Sequence, residues 1–378
     1  MTGTVAADRA VAPSVDAVCL GESMVTFLPT RPGRLADVPS YDRTIGGAES
    51  NVACALAGAG HTVKWVSRVG ADGFGDHLVE AIGAYGVDTS GVRRDPDRPT
   101  GIYFRTATDR ATDVHEVAYY RAGSAASAMA PGTLAPEDLW AGRVLHLSGI
   151  TPALSDGCLA LTRELTRRVP GRPLVSFDIN HRPGLWRDAD GARVLLDLAR
   201  GADLVFVGED EAAEAWGLHG ADAIRAALPE PETLVVKRGS EGATAYTRTR
   251  TAGATATATG SDSGSGSDSG SDSGSGSGAG DTVTDVPALR VDVVAPVGAG
   301  DAFAAGFLSA TLRGLPVAAR LRHGHLMAAA ALTVAGDLAT PPSRDHADRL
   351  AALDAGAWGT LRLGPGWTGP DEPEVRTA

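Results

Sequence analysis

Ala295-Pro296-Val297-Gly298-Ala299-Gly300-Asp301-Ala302-Phe303 is the most informative stretch of this 378-residue chain. Val291–Val294 before it reads as a strand, and Ala302–Leu312 after it has the apolar pattern of a helix. Glycines at a helix start leave the first amides free and pointing outward. Together with the helix dipole, those amides form an anion site suited to a phosphate. Asp301 stands at the same helix start, where a carboxylate is stabilised and is expected to stay ionised at neutral pH. On spacing alone, Asp301 reads equally well as a helix N-cap. A Walker-type Gly-x-x-x-x-Gly-Lys-Ser/Thr loop is absent, and Phe303 breaks the dinucleotide-binding spacing.

Working outward, short apolar strands alternate with helical stretches. Val15–Gly21, Thr62–Val69, Val144–Leu147, Leu174–Asp178, Leu204–Val207 and Thr233–Lys237 read as strands. Glu49–Gly60, Gly75–Tyr85, Ser155–Val169, Val194–Leu198 and Glu209–Trp216 read as helices. Such alternation predicts an α/β fold with a mostly parallel sheet covered on both faces. Two β-rich excursions, residues 22–45 and 99–121, break the pattern and suggest a small lid over one end of the sheet. Residues 253–281 are dominated by Gly, Ser, Thr and Asp and are expected to be a disordered insert. Their flanks, Gly242–Arg248 and Thr282–Val294, read as strands, which puts the insert at a hairpin tip. Residues 1–14 read as a disordered tail and 346–378 as a C-terminal extension.

The net charge of −12 argues against nucleic acid or an anionic membrane as partner. Cys19, Cys54 and Cys158 have neither metal nor disulfide spacing, which fits a reducing cytoplasm. No run of eighteen apolar residues is present.

The Gly-Ala-Gly-Asp-Ala-Phe run resembles the second signature of the ribokinase, or phosphofructokinase-B, family of carbohydrate kinases. Gly46-Gly47-Ala48-Glu49-Ser50-Asn51-Val52-Ala53 is similar to the first signature, with Arg68-Val69-Gly70-Ala71-Asp72-Gly73-Phe74-Gly75 downstream. The resemblance spans about residues 15–345 and implies a ribokinase-like three-layer α/β/α fold with a β-sheet lid. Three further stretches resemble the 2-keto-3-deoxygluconate kinase branch: Gly21-Glu22-Ser23-Met24, Tyr119 to Ala126, and Phe177-Asp178-Ile179-Asn180-His181-Arg182-Pro183-Gly184-Leu185-Trp186.

This resemblance implies ATP and Mg²⁺ as cofactors and a sugar acid as substrate. Asp301 would be the base for a primary hydroxyl, with the amides of Gly298, Ala299 and Gly300 holding charge on the transferred phosphoryl group. The sugar would lie across Gly46 and Gly47, which read otherwise as a tight turn, near Asn51, which could equally cap its helix. Tyr103, Tyr119 and Arg121 would come from the lid and Arg182 from the core. Two arginines suit a keto-acid carboxylate better than a neutral sugar such as fructose or ribose. For ATP the implied residues are Lys237, Gly239, Gly242, Gly298 and Gly300, with Ala328–Val334 against adenine. Glu211, in Gly208-Glu209-Asp210-Glu211, matches the acid that acts on Mg²⁺ through water, although Gly208 replaces the family's Asn. Ala295 stands where the family carries an Asp that helps to hold K⁺, so weak or absent K⁺ activation is expected. Pairing of lid sheets implies a homo-oligomer. A non-catalytic sugar-binding relative is the reading from a different class.

Overall fold

The computed structural model describes residues 13–106, 116–186, 190–248 and 280–369. The strands, in chain order, are β1 Val15–Leu20, β2 Met24–Pro29, β3 Tyr41–Gly46, β4 Val63–Gly70, β5 Val92–Asp95, β6 Ile102–Arg105, β7 Val117–Tyr120 and β8 Gly142–Ser148. They continue with β9 Leu174–Asp178, β10 Leu204–Gly208, β11 Thr233–Lys237, β12 Ala243–Arg248, β13 Asp281–Val286, β14 Arg290–Val291 and β15 Arg362–Leu363. The helices are α1 Ala48–Gly58, α2 Gly73–Ala84, α3 Pro136–Leu139, α4 Asp156–Thr166, α5 Gly191–Gly201 and α6 Glu209–Trp216. After them come α7 Ala221–Ala227, α8 Ala299–Leu312, α9 Val317–Leu332, α10 Arg344–Ala351 and α11 Ala355–Thr360.

Nine strands form one sheet in the order β13-β12-β11-β10-β9-β8-β1-β4-β5. Its pairings from β5 to β11 are parallel, and only β11/β12 and β12/β13 are antiparallel. The period of two along a strand feeds two cores. Ala17 and Cys19 of β1 join α1, α8 and α9 on one face, whereas Val18 and Leu20 join α4 and α5 on the other. Burial on both faces explains why these strands read as continuous apolar runs. Among the described residues no helix is long and apolar enough to cross a membrane.

The two β-rich excursions meet in a separate four-stranded sheet, β3-β2-β6-β7. Phe27 stacks on Phe104 within it, ring centroids 4.8 Å apart. Tyr119 and Tyr120 of its outer strand are 52% and 64% exposed.

Several expectations need correction. The strand before the Gly-Ala-Gly turn covers only Arg290–Val291, because Pro287 ends β13 and Val293 and Val294 are exposed. The helix after the turn starts at Ala299 rather than Ala302. Residues 1–12 and 249–279, most of the expected tail and insert, lie outside the described residues. Of the remainder, Ser14 donates its amide to Ala141. Asp281 opens β13 and accepts two hydrogen bonds from Arg225, at 2.6 and 2.8 Å. The division at 345/346 falls inside α10. Trp358, Leu361, Leu363 and Trp367 beyond it are buried in the same core as α8, and β15 pairs with β14.

Candidate active site

The carboxyl ends of adjacent parallel strands converge beneath the lid, where open α/β sheets place ligands. β9 ends in Asp178, β11 ends in Lys237, and β10 leads directly into α6, which carries Glu211. Lys237 donates to both oxygens of Asp178, at 3.1 and 2.9 Å. Burial opposes its charge, but the carboxylates of Asp178, Glu211 and Asp301 hold its pKa above the ordinary lysine value. This lysine therefore stays cationic.

Two cavities open here. A lid-side cavity of about 370 Å³ is lined by Gly46, Gly47, Asn51, Tyr103, Tyr119, Arg121, Arg182 and Asp301, all eight residues expected to meet the substrate. A far cavity of about 910 Å³ is lined by Gly239, Gly242 and Ala299, with Phe303, Ala328, Ala329 and Leu332 as apolar walls. Glu211, Lys237 and Gly300 line both, so the cavities meet at the start of α8. Gly298, expected on the nucleotide side, lines the lid-side cavity and not the far one. Val334 lies beyond the end of α9 and lines neither. Ala295 is buried, and its methyl group can ligate no cation.

Asp301 is not the N-cap of α8. That position belongs to Gly298, whose φ of +77° is the left-handed conformation glycine tolerates. Asp301 lies in the first turn, where its Oδ2 accepts a 2.9 Å hydrogen bond from Asn51 Nδ2. Asn51 in turn lies inside α1, capped by Gly47, and so does not cap its own helix. The Asp301 carboxyl does not keep the low pKa expected at a helix start. Burial pushes it up to about 7, with Asp178 and Asp337 adding repulsion and Asn51 and Lys237 opposing the rise. A carboxylate poised there suits general-base chemistry near neutral pH.

The basic groups of the lid-side cavity are all paired. Arg121, 9% exposed, is held by Glu22: its Nε donates at 2.7 Å and its Nη2 also reaches the carboxylate, while Ser124 takes the other oxygen at 2.5 Å. The guanidinium expected to await a ligand carboxylate is thus already matched by a protein acid. Tyr103, also expected to meet the substrate, donates its hydroxyl to Asp337 at 2.9 Å. Arg105 donates to the other Asp337 oxygen at 2.6 Å, a buried ion pair joining lid to core. Arg182 is half-exposed and only loosely paired with Glu211, at 3.5 Å. Glu211 Oε2 accepts the Gly208 amide at 2.9 Å, so this acid also caps its own helix.

Sequence reasoning assigned no role to Asp178, Asn180, Glu22, Arg105 or Asp337. The first three lie within stretches already singled out by resemblance. Arg105 lies two residues past Tyr103, and Asp337 follows α9 with no motif around it.

Residues 15–266 and 267–344 match the pfkB family of carbohydrate kinases, and the chain belongs to that family. It is 33% identical over 338 residues to the 2-dehydro-3-deoxygluconokinase of Bacillus subtilis (strain 168), a match covering 88% of this chain and 94% of that one. It is 30% identical over 348 residues to the 2-dehydro-3-deoxygalactonokinase of Haloferax volcanii, covering 91% and 99%. The crystal structure of a PfkB protein from Polaromonas sp. JS666 matches with a TM-score of 0.71 at 32% identity, covering 88% and 99%. The three-layer fold is ribokinase-like, and the class of protein is a sugar kinase.

Proposed function

We propose that the chain transfers the γ-phosphoryl group of ATP to the primary hydroxyl of a sugar acid, converting 2-dehydro-3-deoxy-D-gluconate to its 6-phosphate. The observation that carries this reading is the meeting of the two cavities at Lys237, Gly300 and Glu211, with Asp301 facing the lid-side cavity. Sugar would occupy the lid-side cavity and nucleotide the far one, so that the acceptor hydroxyl and the γ-phosphate meet at the start of α8.

Asp301 takes the proton of the hydroxyl as the new O–P bond forms and the bond to ADP breaks. Transfer of this kind is loose, so the proton moves late and a carboxylate suffices. The amides of Gly298, Ala299 and Gly300 at the helix start stabilise charge on the phosphoryl oxygens. Lys237 adds a fixed positive charge between the two cavities. The far cavity suits ATP: apolar walls for the base, and Gly239 and Gly242, both with positive φ, in its lining. Glu211 is the residue suited to hold Mg²⁺ through water, since it lines both cavities and its Oε1 is held only by the loose contact with Arg182. That ion, when bound, neutralises phosphate charge. Arg182, at the mouth of the sugar cavity, is the residue suited to a substrate carboxylate. The names of the Bacillus subtilis and Haloferax volcanii relatives support an acid sugar.

One observation favours a neutral sugar such as fructose or ribose instead: Arg121 is already neutralised by Glu22. The discriminating experiment measures ADP release from Mg·ATP with 2-dehydro-3-deoxygluconate, fructose, ribose and gluconate, using wild type and Asp301→Asn. Turnover confined to the keto-deoxy acid and lost in the variant is expected. Turnover on fructose or ribose alone overturns the acid-sugar assignment, and binding of sugar and ATP without turnover overturns the kinase assignment.

A further inference from the structure

Asn180 is the only non-glycine residue with a positive φ, +40°, among the described residues. Asparagine tolerates this region better than most residues, but glycine adopts it at no steric cost. The conformation is imposed by its neighbours. Ile179 donates its amide to Phe206 O at 2.9 Å, tying the residue before Asn180 to β10. Gly149 donates its own to Asp178 O at 2.9 Å, and only its missing side chain admits the Ile179 carbonyl. A turn with these constraints needs a residue that accepts positive φ. It does not explain why the chain uses a polar side chain there.

The side chain supplies the second observation. Asn180 is 7% exposed, it lines the lid-side cavity, and its Oδ1 has no hydrogen-bond partner. Turning the amide over would exchange an unpaired acceptor for an unpaired donor, so the vacancy does not depend on which atom is oxygen. Buried polar atoms left unpaired are costly and call for a ligand or water. Asn51 Oδ1 is a second unpaired buried acceptor lining the same cavity. Its orientation is set, because its nitrogen donates to Asp301. The arginines of this cavity are meanwhile paired with Glu22, Asp337 and Glu211, and Lys237 with Asp178. A ligand carrying several hydroxyl groups answers two unpaired amide oxygens better than an anion does.

We propose that Asn180 is a substrate-binding, specificity-determining residue whose side-chain amide hydrogen-bonds one hydroxyl of the bound sugar. This rests on the lid-side cavity being the sugar site. Strain and burial are then held at Asn180 for recognition, as strained backbone at binding sites commonly is.

The test uses the full chain as wild type, Asn180→Gly and Asn180→Asp. Each is assayed with the accepted sugar and with analogues lacking one hydroxyl at a time, and its thermal unfolding is recorded. Asn180→Gly relieves the backbone while removing the amide, so it separates a turn from a ligand contact. The expected result is an unfolding temperature equal to or above wild type, with KM for the sugar raised about tenfold, the effect of one lost hydrogen bond. KM for ATP should stay within about twofold. One deoxy analogue should be handled equally by wild type and Asn180→Gly. Asn180→Asp, which keeps an acceptor, should recover part of the loss. A sugar KM within about twofold of wild type in Asn180→Gly overturns the proposal, as does an equal loss against every analogue. Should the chain turn over no sugar at all, the kinase reading falls separately. Calorimetric titration of the panel sugars then decides the role of Asn180: about tenfold weaker binding by Asn180→Gly upholds it, and equal or absent binding overturns it.

Discussion

Arg182 and Glu211 face each other at 3.5 Å, Arg182 lining the lid-side cavity and Glu211 lining both. Glu211 Oε2 is committed to the Gly208 amide, so its Oε1 alone serves Arg182 or a cation on the nucleotide side. A substrate carboxylate reaching Arg182 would compete with Glu211 and free that oxygen. The expected consequence is that Arg182→Ala raises KM for the keto-deoxy acid roughly tenfold to a hundredfold, the range of a lost charge-assisted hydrogen bond. A neutral sugar, if accepted at all, should change by less than about threefold. Equal losses for acid and neutral sugars would remove Arg182 from carboxylate recognition.

Asp301 gives a pH dependence of defined sign. As a base it works only when ionised, and burial pushes its pKa up to about 7. The kcat/KM for sugar should therefore rise with pH through about 7 and level off above it. Stability runs the other way. The folded carboxyl keeps its proton to higher pH than the unfolded one, so between the ordinary value of 3.8 and about 7 the folded state binds more protons. This group's contribution thus falls as pH rises across that window, and the cost is complete above it. Asp301→Asn should raise the unfolding temperature at pH 8 by more than at pH 4. A gain independent of pH would contradict the buried-carboxyl account.

The sequence carried the parallel sheet, the two excursions that pair as a lid, and eight of the residues that line the lid-side cavity. It did so because apolar strands buried on both faces and glycine-rich helix starts leave local signals. What it did not carry is pairing across distance. Nothing near Arg121 announces that Glu22 neutralises it, and nothing near Tyr103 announces Asp337, which follows α9. The ionisation of Asp301 was misjudged for the same reason: the helix start is local, whereas the burial and the neighbouring Asp178 and Asp337 are products of the fold. The C-terminal segment read as an extension because the family resemblance stops near residue 345, whereas its packing against α8 and α9 is a product of the fold.

That segment yields a stability prediction. Trp358 is 1% exposed, donates its indole N–H to Pro287 O at 2.9 Å, and carries Arg322 4.8 Å from its ring. Trp358→Ala should destabilise the chain by about 3–5 kcal/mol, measured by denaturant unfolding. A change below about 1 kcal/mol would mean that residues 344–369 unfold apart from the domain.

Ala295 bears on cation use. Its buried methyl group stands where the family resemblance places a carboxylate, so activity in K⁺ and in a large organic cation should agree within about twofold. A several-fold requirement for K⁺ would show that backbone carbonyls suffice to hold the ion.

Gly46, the last residue of β3, lies where lid and core touch. A Cβ there would run into the Tyr103 hydroxyl and lie 2.8 Å from Asp337 Oδ2 and 2.9 Å from Thr26 Oγ1. Tyr103 and Arg105 hold the lid to Asp337, whose backbone packs against Gly298 of the Gly-Ala-Gly turn. Gly46→Ala should therefore push Tyr103 off Asp337, hold the lid away from the core and raise KM for sugar about tenfold or more, with KM for ATP little changed. Adding Tyr103→Phe removes the hydroxyl that the new methyl meets first, so the double variant should regain part of the lost affinity even though it lacks the hydrogen bond to Asp337. If Gly46→Ala binds sugar as wild type does, the contact yields without moving the lid. If the double variant is worse than Gly46→Ala by the full cost of Tyr103→Phe alone, the two residues act independently, and the proposed route from lid to Gly298 through Asp337 is wrong.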